Sequence, residues 1–292
     1  MEKVNSLEGK KLEKNGLLDG RGFVKVIKVG PETHPEGYTP EYIIAKAARV
    51  SYGSDNKSPK ADKGLIEYLV RHKHTSPLEM CNITYCLKVP IAICRQLLRH
   101  RTGKFNEFSQ RYSKVPEDDF RFKLSEFPEG YRGKSEINHQ GSVDNLTLIQ
   151  KQQISKVLED MDKKHDEMYK LYQELLDLGY AKELARFNLP LSTYSLIYVQ
   201  FDLNNLIKFF QLRCAQDAQY EIRVYADAMK ELAEQFFPIC LNVNEQYKNG
   251  IYLGKYEKMM IRDCKIPEEV TSRSLRASLE QLARELKIEL ID

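Results

Sequence analysis

Alternation is the first signal along the chain. In "MCNITYCLKV" (80–89), Cys81, Ile83, Tyr85, Leu87 and Val89 alternate with Asn82, Thr84, Cys86 and Lys88, the period of a strand with one buried face. Residues 22–29 alternate and are β-branched, and "STYSLIYVQFDL" reads as a second buried strand. Helical spacing predicts a helix from Glu41 to about Arg49. A short one in "GLIEYLVRHKH" carries Leu65, Ile66, Tyr68, Leu69 and Val70. Pro90 opens another in "IAICRQLLRHR". A long amphipathic helix is expected from Leu146 to Leu178, its apolar stripe made of Ile154, Val157, Leu158, Met161, Met168, Leu171, Leu175 and Leu178, with His165 nearby in a structural role. "KELARFNLP" is a short helix stopped by Pro190. Two helical stretches between Asn204 and Phe237 surround "QLRCAQDAQYE", where charges and amides interrupt the apolar pattern, and "EEVTSRSLRASLEQLARELKIEL" is a peripheral helix.

"SYGSDNKSPKADK" (51–63) and residues 124–145, rich in Gly, Ser, Asn and Pro, read as loops. Together these elements predict an α+β fold, a mixed, largely antiparallel sheet packed with long helices in a single catalytic domain, without internal repeats or a sharp linker. Two junctions suggest chemistry. Ser76, Pro77 and Glu79 have the spacing of a capping box, whose free N–H groups could meet an anion, although plain capping is the better account of this stretch alone. On the helix after Pro90, Gln96, Arg99 and His100 at i, i+3 and i+4 would share a face, with Gly103 as C-cap and basic residues favoured by the helix dipole.

Composition narrows the class. The 292 residues, 42 % hydrophobic and 30 % charged, suit one sizeable core or two small ones. No run of eighteen apolar residues exists and the first twenty residues lack a signal-peptide core, so a cytoplasmic location without membrane contact is expected. Cys81, Cys86, Cys94, Cys214, Cys240 and Cys264 form no C-x-x-C or zinc-like pattern and read as free thiols of a reducing compartment. Forty-five basic minus 42 acidic residues give +3. Arg99, Arg101, Lys104 and Arg111 minus Glu107 give the same +3 within residues 99–113. Such concentrated charge fits a small anion better than a nucleic-acid backbone.

That segment, "RHRTGKFNEFSQRY", holds donors, acceptors and fixed cations in fourteen positions. Were residues 107–111 extended, Glu107, Ser109 and Arg111 would point the same way over about 13 Å, and a bent loop would fit a mononucleotide more closely. Arginine matches phosphate bidentately, so Arg111, with Arg99 or Arg101, is the natural clamp, while Glu107 and Ser109 can read polar edges of a base or sugar. A nucleic-acid module lacks support because no RNP, KH or zinc signature occurs. A metal site from His72, His74 and His100 would rest on H-x-H alone.

"RHRTGKFNEFSQRYS" resembles the signature of the flavin-dependent thymidylate synthases, the thymidylate synthase-complementing family. The resemblance extends through "AARVSYG", "LIEYLVRHKHTSPLE", "CRQLLRHR", "ARFNLPLSTYS" and "LRCAQDAQYEIRVYA". It covers about residues 22 to 240, leaving 1–21 as an N-terminal extension, 124–145 as an insertion and 241–292 as a C-terminal helical extension. It implies FAD as cofactor, dUMP as substrate, methylenetetrahydrofolate and NADPH as co-substrates, dTMP as product, and a homotetramer whose sites combine subunits. By matching positions, the resemblance implies that Gln96, Arg99, Glu107, Phe108, Ser109, Gln110, Arg111, Arg186 and Arg213 bind dUMP. It likewise implies FAD contacts from Ser76, Glu79, Arg99, His100, Arg101, Thr102, Glu107, Asp202, Asn204, Lys208 and Leu212, and a place near folate or nicotinamide for His74 and Tyr112. The chain departs from the family pattern at Ser76, Met80, Asp202, Asn204, Lys208 and Asp217. No G-x-G-x-x-G fingerprint is present, so the flavin would be held by arginines, histidines and subunit interfaces.

The cysteines bear on mechanism. A thiolate nucleophile needs an accessible, electropositive site. Cys81 and Cys86 lie on an expected strand, Cys94 faces away from Gln96 on its helix, and Cys240 and Cys264 lie outside the motifs. Only Cys214, beside Arg213, is near the expected site. The expectation is a reaction without an enzyme thiol, in which Arg99, Arg213 and Ser109 orient the pyrimidine and stabilise developing charge. Arg213 and Ser109 are the candidate catalytic residues.

Overall fold

The computed structural model describes residues 3–53, 58–117, 120–135, 141–248 and 253–291. Strands β1 (Lys3–Asn5), β2 (Glu13–Leu17), β3 (Gly22–Gly30) and β4 (Thr33–Pro35) lead into α1 (Tyr42–Arg49) and α2 (Pro59–Arg71). Next come β5 (Asn82–Pro90), α3 (Ile91–Leu97), β6 (Lys104–Glu107) and a small ladder of β7 (Gly133–Lys134) with β8 (Ser142–Val143). The long α4 (Leu148–Asp177) and short α5 (Lys182–Ala185) precede β9 (Tyr194–Asp202), α6 (Leu203–Arg213), α7 (Tyr220–Ala233), α8 (Pro238–Lys248), α9 (Lys255–Asp263) and α10 (Arg273–Glu285).

The main sheet has the order β2-β3-β5-β9-β6, and every pairing is antiparallel, so the α+β reading holds while the sheet is not mixed. Period-two alternation decides which face is wet. Ile83, Tyr85, Leu87 and Val89 of β5 and Ile197, Val199 and Phe201 of β9 point into the core; Asn82, Thr84, Cys86, Lys88, Leu196, Tyr198 and Gln200 point out. In β3 a register shift between Val26 and Lys28 turns Ile27 outward and lets Val29 face in again, as a bulge does. The inner face is covered by apolar stripes of α1, α2, α3, α6 and α7. Two buried tyrosines find carbonyls: Tyr85 Oη donates to Met229 O at 3.0 Å and Tyr225 Oη to Lys88 O at 2.7 Å. Buried Glu41 accepts from Ile239 N at 2.9 Å and Cys240 N at 2.6 Å, supplying partners to first-turn amides of α8.

Two compact units occur, Met1–Glu245 and Gln246–Asp292. Helix α8 crosses the expected 240/241 boundary, and Leu241 belongs to the main core. The second unit has its own apolar cluster of Met260, Ile266, Val270, Leu279 and Ala283, with Ser272 capping α10.

Several local expectations are corrected. Helix α2 begins at Pro59, inside the expected loop, because Ser58 Oγ accepts from Ala61 N at 3.4 Å and proline suits a first helical turn. Ser76 is not a cap: Ser76–Met80 is a 3-10 turn that follows Thr75, with no side-chain capping bond. Segment 124–145 is not plain loop; it contains 3-10 turns Leu124–Glu126 and Pro128–Gly130 and the β7–β8 ladder. Helix α4 is opened by a capping box of Thr147 and Gln150, but it buries Tyr169 and Tyr172, while Val157, Met161, Leu171 and Leu178 of the expected stripe are exposed.

Helix α3 stops at Leu97, so Gln96, Arg99 and His100 do not share a helical face and Gly103 is not its C-cap. Gly103 is needed for another reason: a Cβ there would lie 2.6 Å from the Phe105 ring and 2.7 Å from that of Phe201. Gly103→Ala is expected to destabilise the protein by about 1–3 kcal/mol through overpacking. Gly64→Ala in α2, with nothing within 4 Å of the new Cβ, is expected to stabilise it by roughly 0.5–1 kcal/mol. Denaturant midpoints of the two variants check both signs.

Candidate active site

Between α3 and β6 the chain reverses through short hydrogen bonds: Arg99 N to Gln96 O at 3.4 Å, His100 N to Leu97 O at 3.0 Å and Gly103 N to His100 O at 2.9 Å. The Arg-His-Arg triplet sits on this turn, so its side chains diverge. Arg99, Arg101 and Thr102 are exposed, while His100 is half-buried. Beyond β6, Phe108 N donates to Leu196 O at 2.8 Å, and then Ser109 O accepts from Tyr112 N at 3.2 Å and Ser113 N at 3.1 Å. Residues 107–111 are therefore bent, extended only as far as Phe108. Ser109 Oγ accepts from Arg111 N at 3.3 Å, which steadies the bend, and Gln110 is buried beneath it.

Helix α6 brings a second segment to the turn. Asp202 caps it, accepting from Asn205 N at 2.9 Å and Asn205 Nδ2 at 2.7 Å. From its last turn Arg213 Nε donates to His100 Nε2 at 2.9 Å, and its Nη2 reaches Gln96 O at 3.5 Å. A guanidinium only donates, so His100 Nε2 accepts and the ring is neutral with its proton on Nδ1. The ring packs edge-on against Phe209 at 4.8 Å. Burial, and then the Arg213 charge, hold the His100 pKa below the usual histidine value; burial lowers that of Arg213. Asn204 Nδ2 donates to Glu79 Oε1 at 3.2 Å, joining two residues expected on the flavin. Lys208 and Leu212 are exposed on the same helix.

A third group surrounds α5. Arg111 Nε and Nη2 both lie 3.1 Å from Glu183 Oε2, Arg186 Nε donates to Glu183 O at 3.3 Å, and Lys182 Nζ donates to Tyr112 O at 3.1 Å. Tyr112 is exposed. His74 is set apart from these groups by its contacts: its ring lies edge-on to Tyr68 at 5.9 Å, while His72 stacks on Tyr68 at 4.0 Å. Ser76 is exposed on its 3-10 turn. Among the described residues no group of His, Cys, Asp and Glu could hold a metal ion, and no helix is long and apolar enough to cross a membrane.

Sequence reasoning missed Glu183, Gln219, Glu221 and Arg132. Gln96 Nε2 donates to Gln219 Oε1, Gln219 Nε2 donates to Glu221 Oε2 at 2.8 Å, and Arg132 Nη2 donates to Glu221 Oε1 at 2.6 Å. The only signal for Gln219 and Glu221 was the interrupted apolar pattern of "QLRCAQDAQYE".

The family described as "Thymidylate synthase complementing protein" matches residues 36–239. The chain belongs to this family. Similar relatives, each named flavin-dependent thymidylate synthase, include one from Treponema denticola, 41 % identical over 75 % of this chain and 81 % of its own. One from Rickettsia bellii is 36 % identical over 97 % of each chain. A solved structure of a UMP/dUMP methylase, PolB from Streptomyces cacaoi, bound with 5-Br UMP, covers 78 % of this chain and 95 % of its own with a TM-score of 0.61 at 26 % identity. The matched region contains the Arg-His-Arg turn, the 107–111 bend, α5 and α6, so all three groups lie within the family's part of the chain. As a member of the family the protein is an enzyme of the flavin-dependent thymidylate synthase class.

The half-buried, neutral His100 gives a pH signature. Its folded pKa lies below the unfolded value of about 6.5, so between the two the unfolded chain binds more protons and stability falls with falling pH. The contribution is complete above about pH 6.5 and is lost toward the lower folded value. Denaturant titrations at pH 7.5 and 5.5 are expected to show a larger acid-induced loss for wild type than for His100→Asn.

Proposed function

We propose that the chain catalyses the reductive methylation of dUMP to dTMP, with methylenetetrahydrofolate as carbon donor, NADPH as reductant and FAD as cofactor, and without an enzyme thiol as nucleophile. The observation that carries this reading is the seating of Arg213 on His100 and Gln96, which joins the family's two arginine motifs at one place. The residues fit a flavin dinucleotide. Arg99 and Arg101 are exposed and have no carboxylate partner among the described residues, so each guanidinium is open to a phosphate oxygen. Glu79, joined to Asn204, adds polar edges, and Thr102, Ser76, Lys208 and Leu212 are open to a ligand. Bound FAD, reduced by NADPH, would supply hydride.

The chain's own residues do the rest. Arg111 and Arg186 take the phosphate, with Glu107, Phe108 and Gln110 shaping the loop around the nucleotide. Gln96, Arg99 and Ser109 orient the pyrimidine. Arg213, held by a neutral histidine that adds no competing positive charge, stabilises the negative charge that develops on the ring. Ser109 Oγ accepts from a backbone amide, which suits a positioning role. His74 and Tyr112, both exposed, are left for the folate or nicotinamide.

The thiols support the absence of an enzyme nucleophile. Burial pushes Cys94 up to about 12 and raises Cys81, Cys86 and Cys240, the reverse of what a thiolate nucleophile needs. Cys264 lies in the unit Gln246–Asp292, and Cys214 is the C-cap of α6. Six free thiols suit the cytoplasm. Residues 22–240 form the catalytic part, and a homotetramer with shared sites would cover the exposed apolar side chains of α4.

Two experiments test this reading. Cys214→Ala is expected to retain FAD, dUMP binding and dTMP formation; a folded variant that binds both ligands yet makes no dTMP would refute the thiol-free route. Arg111→Ala is expected to weaken dUMP binding about tenfold to a hundredfold, the loss of one charge-assisted bond worth about 1.5–3 kcal/mol. FAD binding should change far less, as flavin fluorescence titrated with dUMP and absorbance titrated with FAD would show.

A further inference from the structure

We propose that the Arg132–Glu221 ion pair is a positioning device for the substrate, fixing the Gln96 amide through Gln219 so that Gln96 Oε1 faces the nucleotide as a hydrogen-bond acceptor. The inference rests on the reading that Gln96 touches dUMP.

An amide side chain is ambiguous by itself, since rotation by 180° exchanges its donor and its acceptor. The two ends of this relay are not ambiguous. Arg132 only donates, and ionised Glu221 only accepts. With Glu221 Oε1 occupied by Arg132 Nη2 at 2.6 Å, its Oε2 takes Gln219 Nε2 at 2.8 Å. Gln219 Oε1 must then face Gln96, and so Gln96 presents Nε2 to Gln219. The polarity set by the ion pair thus reaches the site, and Gln96 Oε1 is left without a donor among the described residues. Its ligand must bring an N–H or O–H, which the pyrimidine N3 or the sugar hydroxyl supplies.

The pair is built to hold still. Glu221 is buried in the first turn of α7, and the Arg132 guanidinium lies 4.6 Å from the centre of the Tyr220 ring. Arg132 comes from the 124–145 segment, so this segment, expected only to be an insertion, reaches the site through one side chain.

The test is a double-mutant cycle on the FAD-loaded protein, read by calorimetric titration with dUMP. Arg132→Ala is expected to weaken dUMP binding about fivefold to twentyfold with FAD affinity unchanged, and Arg132→Lys to recover most of the loss. In the Gln96→Ala background Arg132→Ala should cost nothing more. Glu221→Gln keeps the shape but removes the acceptor-only end, and it should weaken dUMP binding even if Arg132→Ala fails to fold. With wild type, either 3-methyl-dUMP or 3′-deoxy-dUMP should lose affinity relative to dUMP, and Arg132→Ala should abolish that discrimination; which analogue suffers identifies the donor. Additive losses in the double variant, or a parallel loss of FAD, would make the pair structural and overturn the proposal. If Gln96→Ala binds dUMP as wild type does, the placement of Gln96 on dUMP has failed and the relay with it.

Discussion

Strand β9 is the constraint on which the site depends. It pairs with β5 along its whole length, from Asn82↔Asp202 to Pro90↔Tyr194, and with β6 on its other side, from Lys104↔Gln200 to Glu107↔Ile197. A slip of one residue would turn Ile197, Val199 and Phe201 out of the core, so the register is held by the burial of those side chains. The Arg-His-Arg turn leads into β6, and α6 starts at the C-terminal end of β9 under the Asp202 cap. The bond from Arg213 to His100 closes a ring from β9 through α6, across to the turn and back along β6. Backbone pairing of β9 with β6 and the hydrogen bonds of the turn set its geometry.

The ring also explains the electrostatics. A cation near other cations could be held by a carboxylate, but that would cancel the charge an anionic ligand needs. Here the holder of Arg213 is a neutral imidazole, kept neutral by burial against Phe209 and by the guanidinium itself. Arg121 shows the opposite solution. Fully buried, it pairs with Asp162 and with Asp166 at 2.9 Å and fixes α4 against the 120–125 segment, with no charge left for a ligand. The same residue type is fully paired in one place and, on the proposed reading, left to a ligand in the other, and the partner decides which.

Legibility from sequence followed the range of the interactions. Strands β3, β5 and β9 were readable because alternation is local and their inner residues are consistently apolar. The Arg-His-Arg segment stood out in the sequence because its charge excess has no helical spacing, and the structure places it on a turn next to α6. The end of α3 was not readable: Leu97 is buried and the helical pattern runs on through Leu98, yet the helix ends there and the chain reverses, with Gly103 close against the rings of Phe105 and Phe201. The relay of Gln96, Gln219, Glu221 and Arg132 was not readable either, since its members are brought together only by the tertiary fold. The exposed side chains of α4 illustrate a converse limit. Helical periodicity identifies an apolar stripe, but it does not say whether the same chain covers it.

Arg111 unites these threads. It is held at the bend by Glu183, yet more than half of each side chain is open to solvent, where such a pair contributes about 1 kcal/mol or less. Both guanidinium nitrogens converge on a single carboxylate oxygen, leaving the fork geometry unfulfilled. On the proposed reading, the phosphate dianion of the nucleotide offers more charge and two oxygens at the right spacing, so it would displace Glu183 at small cost. The carboxylate then serves as a placeholder that keeps the guanidinium oriented beside Arg186 and Lys182. Two carboxylates on one buried guanidinium, as at Arg121, would have made the segment more stable and left the arginine no charge to offer. Weakness of that one ion pair is what allows a folded, pre-oriented cation to remain exchangeable.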